Sequence, residues 1–99
     1  LYSELAHLEG QADVLLTIGD IERSLGDQGK AAARYRRSLD LDRILGDRYW
    51  EAMALERLSE VQGGPEEATA EKYLREALAI LEDLRHPDAD RLRAKIKPD

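Results

Sequence analysis

The sequence predicts an all-α fold, and three observations carry that prediction. Of the 99 residues, 55 are Ala, Glu, Lys, Leu or Arg, with 16 Leu, 13 Ala and neither Phe nor Cys, which is the composition of a chain built from helices. Apolar and small residues stand three and four apart, so each run marks one face of a helix. The runs also repeat. Ala12, Leu15, Ile18 and Gly19 return 40 residues later as Ala52, Leu55, Leu58 and Ser59, while Ala31, Tyr35, Ser38, Leu39 and Leu45 return 39 later as Ala70, Leu74, Ala77, Leu78 and Leu84. A recurrence of this length marks stacked helix pairs, none of which buries its apolar face alone.

Taken in order, the elements expected are helices over 1–8, 11–25, 28–45, 48–62, 65–84 and 88–97. Leu1 and Leu5 stand 40 residues before Leu41 and Leu45, so 1–8 is read as the tail of a preceding repeat and the chain as a piece of something longer. Gly26-Asp27 and Gly46-Asp47 each close one helix and offer an aspartate to cap the next. Gly63-Gly64-Pro65 is the corresponding turn in the second unit, with Pro65 at a first helical position and Glu66 and Glu67 against the positive end of the dipole. Beyond His86-Pro87-Asp88, the stripe Ala89, Leu92 and Ile96 predicts a short polar capping helix. The whole of 1–99 is then one domain, with repeat one at 11–45, repeat two at 48–84 and the cap at 88–97.

These residues resemble the tetratricopeptide repeat, whose unit carries a W-x2-L-G-x2-Y and A-x3-F pattern. Leu15-x2-Ile18-Gly19 and Ala31-x3-Tyr35 match it, followed by Ser38, and the second unit supplies Leu55-x2-Leu58-Ser59, Ala70-x3-Leu74 and Ala77. Glu22 and Gln62 stand where the family often has an aromatic, and the period exceeds 34, as in the roughly 40-residue variety of kinesin light chains and bacterial regulators. The ending from Pro87 to Arg93 is similar to the carboxy-terminal arrays of actinobacterial signal-transduction ATPases and antibiotic-pathway transcription regulators. The resemblance implies a right-handed superhelix with a concave groove lined by the first helix of each unit. Matching to the motif places Asp13, Leu16, Asp20 and Arg23, then Met53, Glu56 and Glu60, toward that groove. Members that grip a terminal carboxylate use Lys, Asn and Arg where this chain has Leu16, Asp20, Glu56 and Glu60, so a carboxylate clamp is absent and a basic or mixed apolar-basic partner is expected.

Charge limits the function classes further. A net charge of -6 opposes binding to nucleic acid or an anionic membrane. The arginines Arg34, Arg36, Arg37 and Arg43 and the cationic run from Arg91 to Lys97 are interspersed with acids and lack stacking aromatics. Without cysteine there is no disulfide framework and no thiolate site; a mean hydropathy of -0.57 and the lack of a long apolar run or a visible signal peptide fit a cytoplasmic chain. Glu82, Asp83 and His86 lie within one turn, but a defined ligand set is missing, and an imidazole at a helix end can answer the last carbonyls. No serine has a base at nucleophile spacing, so neither an enzyme nor a cofactor is expected. Tyr49 and Trp50 are adjacent, and one stripe cannot bury both. Either Trp50 packs on the preceding helix as an inter-repeat wedge, or the pair is an aromatic anchor for a partner. The reading is therefore a non-catalytic protein-interaction module; the alternatives are a homo-oligomer pairing through an apolar edge such as Leu1 and Leu5, and a sensor segment of a larger bacterial transcription regulator.

Overall fold

The structure, a computed structural model, describes residues 2–61 and 67–96. Among these residues it is all-helical, with α1 (Tyr2–Ser24), α2 (Gln28–Leu45), α3 (Arg48–Val61), α4 (Glu67–Asp83) and α5 (Asp88–Lys95). Leu1 and the expected turn at Gly63-Gly64-Pro65, with Gln62 and Glu66, lie outside the described residues.

The expected caps are present. Asp27 Oδ1 accepts from the Lys30 amide at 3.1 Å and Asp47 Oδ1 from the Trp50 amide at 3.2 Å, satisfying donors that a helix start otherwise leaves unpaired. At the other helix ends, Gly26 and Gly46 take positive φ (88° and 71°), so the amides of Asp27 and Asp47 reach back to the carbonyls of Glu22 and Asp42, both at 2.9 Å. The same closure ends α4, where the His86 amide reaches the Leu81 carbonyl at 2.9 Å, but there the left-handed residue is Arg85, with φ 53°. Arg85 stands 39 residues after Gly46, so the repeat extends to the turn and lacks only its glycine.

One element departs from expectation. The helices expected over 1–8 and 11–25 are a single helix, α1, running through Gly10. A lone interior glycine costs about 1 kcal/mol against alanine, and without a cap or proline beside it that is too little to end a helix.

Side-chain contacts fix the arrangement. The Ser38 hydroxyl donates to the Ala12 carbonyl and the Tyr35 ring lies on Gly19, so α2 runs antiparallel to α1; Arg48 meets Asp83 across the open ends of α3 and α4 in the same sense. Between units the sense is parallel: Arg57 and Glu60 on α3 pair with Asp20 and Arg23 on α1, while Asp88 and Lys95 on α5 meet Tyr49 and Glu56 on α3. Thus α1, α3 and α5 lie side by side in one layer and α2 and α4 in a second, a slab with Cα extents of 46 × 34 × 17 Å.

The core fills the space between layers with Tyr35, Leu39, Leu55, Leu58, Leu81 and Leu92 among its buried members. Close approach of α1 and α2 depends on Gly19, where a Cβ would stand 2.6 Å from a ring carbon of the fully buried Tyr35. The two units differ at the edge. Leu55 and Leu58 are buried, whereas their counterparts Leu15 and Ile18 are half-buried, because no described helix covers the outer side of α1. That side carries Val14, Ile21 and Leu25, the last 80% exposed. This stripe is a clear apolar edge; of the edge expected at Leu1 and Leu5, Leu5 is exposed near the start of α1 and Leu1 lies outside the described residues.

Candidate functional site

The motif-matched residues divide between two places and the core. Asp20, Arg23, Met53, Glu56 and Glu60 gather in one cleft of about 550 Å³, joined by Ser24, Arg57, Arg91 and Lys95. Leu16 is buried in the core with Met53, since its position on α1 points between the layers. Asp13 and Trp50 lie at a second pocket of about 150 Å³, with Glu9, Ala12, Asp42, Leu45 and Asp47.

Charges in the larger cleft neutralise one another. Asp20 receives the Arg57 guanidinium at 3.0 Å and the Tyr35 hydroxyl at 2.5 Å; burial, then the bond to Asp20, pushes the Tyr35 phenol up to about 12. Arg23 meets Glu60 at 3.2 Å. Glu56 is 5% exposed, and it accepts from Arg91 and, at 2.6 Å, from Lys95. Burial pushes the Glu56 carboxyl up, yet the hydrogen bonds and charges of Arg91 and Lys95 outweigh this and hold it below the ordinary range. A buried carboxylate with two cations is a structural joint between α3 and α5. Three acids and four bases line this cleft, so the acidic groove expected from Asp20, Glu56 and Glu60 is not acidic. The partners that overturn it come from other helices within a few residues of the unit spacing: Glu56 and Arg91 are 35 apart, Asp20 and Arg57 are 37 apart and Glu56 and Lys95 are 39 apart. A search for opposite charges near that spacing would have found them.

The smaller pocket is the opposite case, with four acids and no base. Asp42 lies on the buried stripe of α2 and is 3% exposed. Burial, reinforced by the charges of Asp47, Asp13 and Glu51, pushes its carboxyl up to about 7. Its sequence signal is plain in hindsight: Tyr35, Ser38, Leu39, Asp42 and Leu45 form one stripe, interrupted by a single acid.

The aromatic pair divides its roles. Tyr49 is the wedge toward the next unit, its ring 4.8 Å from that of His86 and its hydroxyl donating to Asp88 at 3.3 Å. Trp50 packs edge-on to Tyr49 with centroids 5.3 Å apart and stays 38% exposed at the acidic pocket. His86 does not answer helix-end carbonyls; its Nδ1 accepts from the Asp88 amide at 3.0 Å. Glu82 and Asp83 pair instead with Arg93 and Arg48. Among the described residues no group of acids and histidines is spaced to hold a metal ion, and no helix is long and apolar enough to cross a membrane. Comparison of the chain with family models, with curated proteins and with solved structures finds no match.

Proposed function

We propose that the chain is a non-catalytic protein-interaction module of tetratricopeptide-like build, receiving a peptide or partner helix on the face formed by α1, α3 and α5, with α5 as the capping element. The observation that carries this reading is the open cleft of about 550 Å³ running across those parallel helices, with Met53 in its lining and charges of both signs around it. Paired charges at a rim set register and exclude wrong partners, while the desolvated centre supplies affinity. A cytoplasmic location belongs to the same reading, on composition alone.

The test is selection of binders from a displayed peptide library, followed by calorimetry on the wild type and on Ser24→Trp. Ser24 lines the cleft and is exposed, so an indole there fills the cleft without disturbing the core. Loss of binding by tenfold or more with unchanged helicity is the expected result; equal binding by the variant refutes the cleft.

A second reading has an observation of its own. Val14 and Ile21 on α1, with Leu25 just past its end, form an uncovered apolar stripe, which favours a homo-oligomeric scaffold, or a sensor segment docked against more of a larger regulator. Light scattering over a wide concentration range decides it: a dimer that Ile21→Lys dissociates supports pairing through α1, and a monomer at every concentration removes it.

A further inference from the structure

The pocket beside Trp50 gathers four carboxylates that no cation among the described residues answers. Glu9 and Asp13 come from α1, Asp42 from the end of α2 and Asp47 from the link into α3. Asp47 commits one oxygen to capping α3. Among the described residues no ion pair reaches any of the four, and no hydrogen bond reaches the carboxylate of Asp42, although that residue is 97% buried by its 3% exposure. No buried side-chain oxygen among the described residues lacks a hydrogen bond, so what exposure Asp42 keeps lies at its carboxylate oxygens, which open into the pocket; a carboxylate so largely withdrawn from water with no cation beside it is unfavourable. Its place near the negative end of a helix dipole makes matters worse.

The fold does not require this arrangement, because the chain contains the same place twice. One unit further on, Glu9, Asp13, Asp42, Asp47 and Trp50 correspond to Tyr49, Met53, Leu81, His86 and Ala89. There the space is filled: Met53, Leu81 and Ala89 belong to the buried core and Tyr49 packs against it. The first junction has acids and an opening where the second has hydrocarbon and the His86 ring.

We propose that the first junction is a binding site for an organic cation, an alkylguanidinium or alkylammonium group held by the carboxylates of Asp42, Asp13 and Asp47 against the ring of Trp50. A metal ion is the poorer occupant, since among the described residues these acids do not converge at coordination spacing. An aromatic wall favours a cation of diffuse charge, and a guanidinium can bond more than one carboxylate at once. The volume of about 150 Å³ equals the liquid volume of about five waters, enough for such a head group and its last methylenes. Glu9 and Asp13 are exposed, so the site opens to solvent. The cation comes from an arginine or lysine side chain of a protein or from a free amine, and the recognising chemistry is the same. This site is separate from the larger cleft, and its occupancy does not depend on a peptide binding there.

Trp50 is the only tryptophan in the chain, so its emission reads the pocket directly. Ethylguanidinium chloride is titrated against sodium chloride at matched ionic strength, alongside a capped Gly-Arg-Gly peptide. A saturable change in the millimolar range or below is expected, at least tenfold weaker in Asp42→Asn and in Asp13→Asn, and unchanged in Glu82→Gln on the distant α4. Binding should strengthen from pH 6 to pH 8, because Asp42, faced by Glu9 and Asp13 from α1, Asp47 from the link and Glu51 from α3, must ionise to hold the cation. A linear response equal to that of salt, or both asparagine variants binding like the wild type, overturns the proposal. Asp13 is exposed and Asp42→Asn removes a buried charge, so neither variant threatens folding. Tighter binding of the peptide than of ethylguanidinium assigns a protein side chain as the source, and equal binding assigns a free small cation recognised by its head group alone; both outcomes support the site. Failure of the library selection against the larger cleft leaves this result untouched.

Discussion

The junction of α1, α2 and α3 and the junction of α3, α4 and α5 occupy equivalent places in successive units, and they solve the same packing problem in opposite ways. At the second, Leu81 is fully buried and the one buried acid, Glu56, is matched by Arg91 and Lys95. At the first, Asp42 stands where Leu81 would be and has no cation among the described residues, while Leu16 stands where Glu56 would be. Both junctions thus contain one buried carboxylate at a position that the other fills with leucine, and only one is neutralised from within. The difference separates a charge that joins two helices from a charge left available.

The comparison can be broken most severely at the neutralised joint. Arg91→Ala combined with Lys95→Ala leaves Glu56 buried and unpaired, which should cost about 3 kcal/mol at pH 7 and lower Tm by roughly 15 °C for a domain of this size. Because the pair holds the Glu56 carboxyl below its ordinary value, its contribution is complete above the unfolded value near 4.3 and is lost as acid protonates it. The gap between variant and wild type therefore closes below about pH 4, as urea titrations at several pH values would show; a gap under about 1 kcal/mol at pH 7 contradicts the assignment.

A second contrast lies between Gly19 with Tyr35 and Ser59 with Leu74, which hold equivalent places. Gly19→Ser forces an atom into the Tyr35 ring and should cost about 2 kcal/mol. In a Tyr35→Leu background the same substitution copies the second unit, and a double-mutant cycle should return at least about 1 kcal/mol of that loss. Strict additivity would mean that the clash is not what Gly19 avoids.

Converting the first junction into the second should stabilise the protein. Asp42→Leu is expected to stabilise by about 2 kcal/mol more at pH 8 than at pH 5, by removing an unpaired charge largely withdrawn from water. The sign follows from a folded value raised to about 7: between about pH 4 and 7 the folded state holds a proton that the unfolded state has released, so wild-type stability falls as pH rises through that window. Thermal melts at pH 5 and pH 8 check it, and equal gains at both values would point to packing alone. The smallest effect belongs to the closing turns. Arg85→Gly restores the residue that Gly26 and Gly46 supply and should add about 1 kcal/mol, measurable as a rise in urea midpoint at constant slope.

Much of the fold was legible because its signals are local. Steps of three and four, the 39- and 40-residue recurrence, and the Gly-Asp pairs at 26–27 and 46–47 each report on a helix or its end within a few residues. Gly10 misled because glycine is a weak breaker when no cap accompanies it. The site was less legible because its chemistry is pairwise across units. Asp20, Glu56 and Glu60 read as an acidic groove when counted along their own helices, and only the neighbouring helix supplies Arg57, Arg91, Lys95 and Arg23. Asp42 was hidden differently: a single acid within an apolar stripe looks like tolerance at a surface until the burial of that position is known.

The central claim, that the first junction holds an unanswered buried carboxylate, is tested most directly by titrating Asp42 itself with carbon-13 NMR of its side-chain carboxyl. The structure predicts a midpoint near 7, moving toward the ordinary value near 3.9 when ethylguanidinium is added. A midpoint near 4 in the free protein would show that Asp42 is already solvated or paired, and would contradict the account.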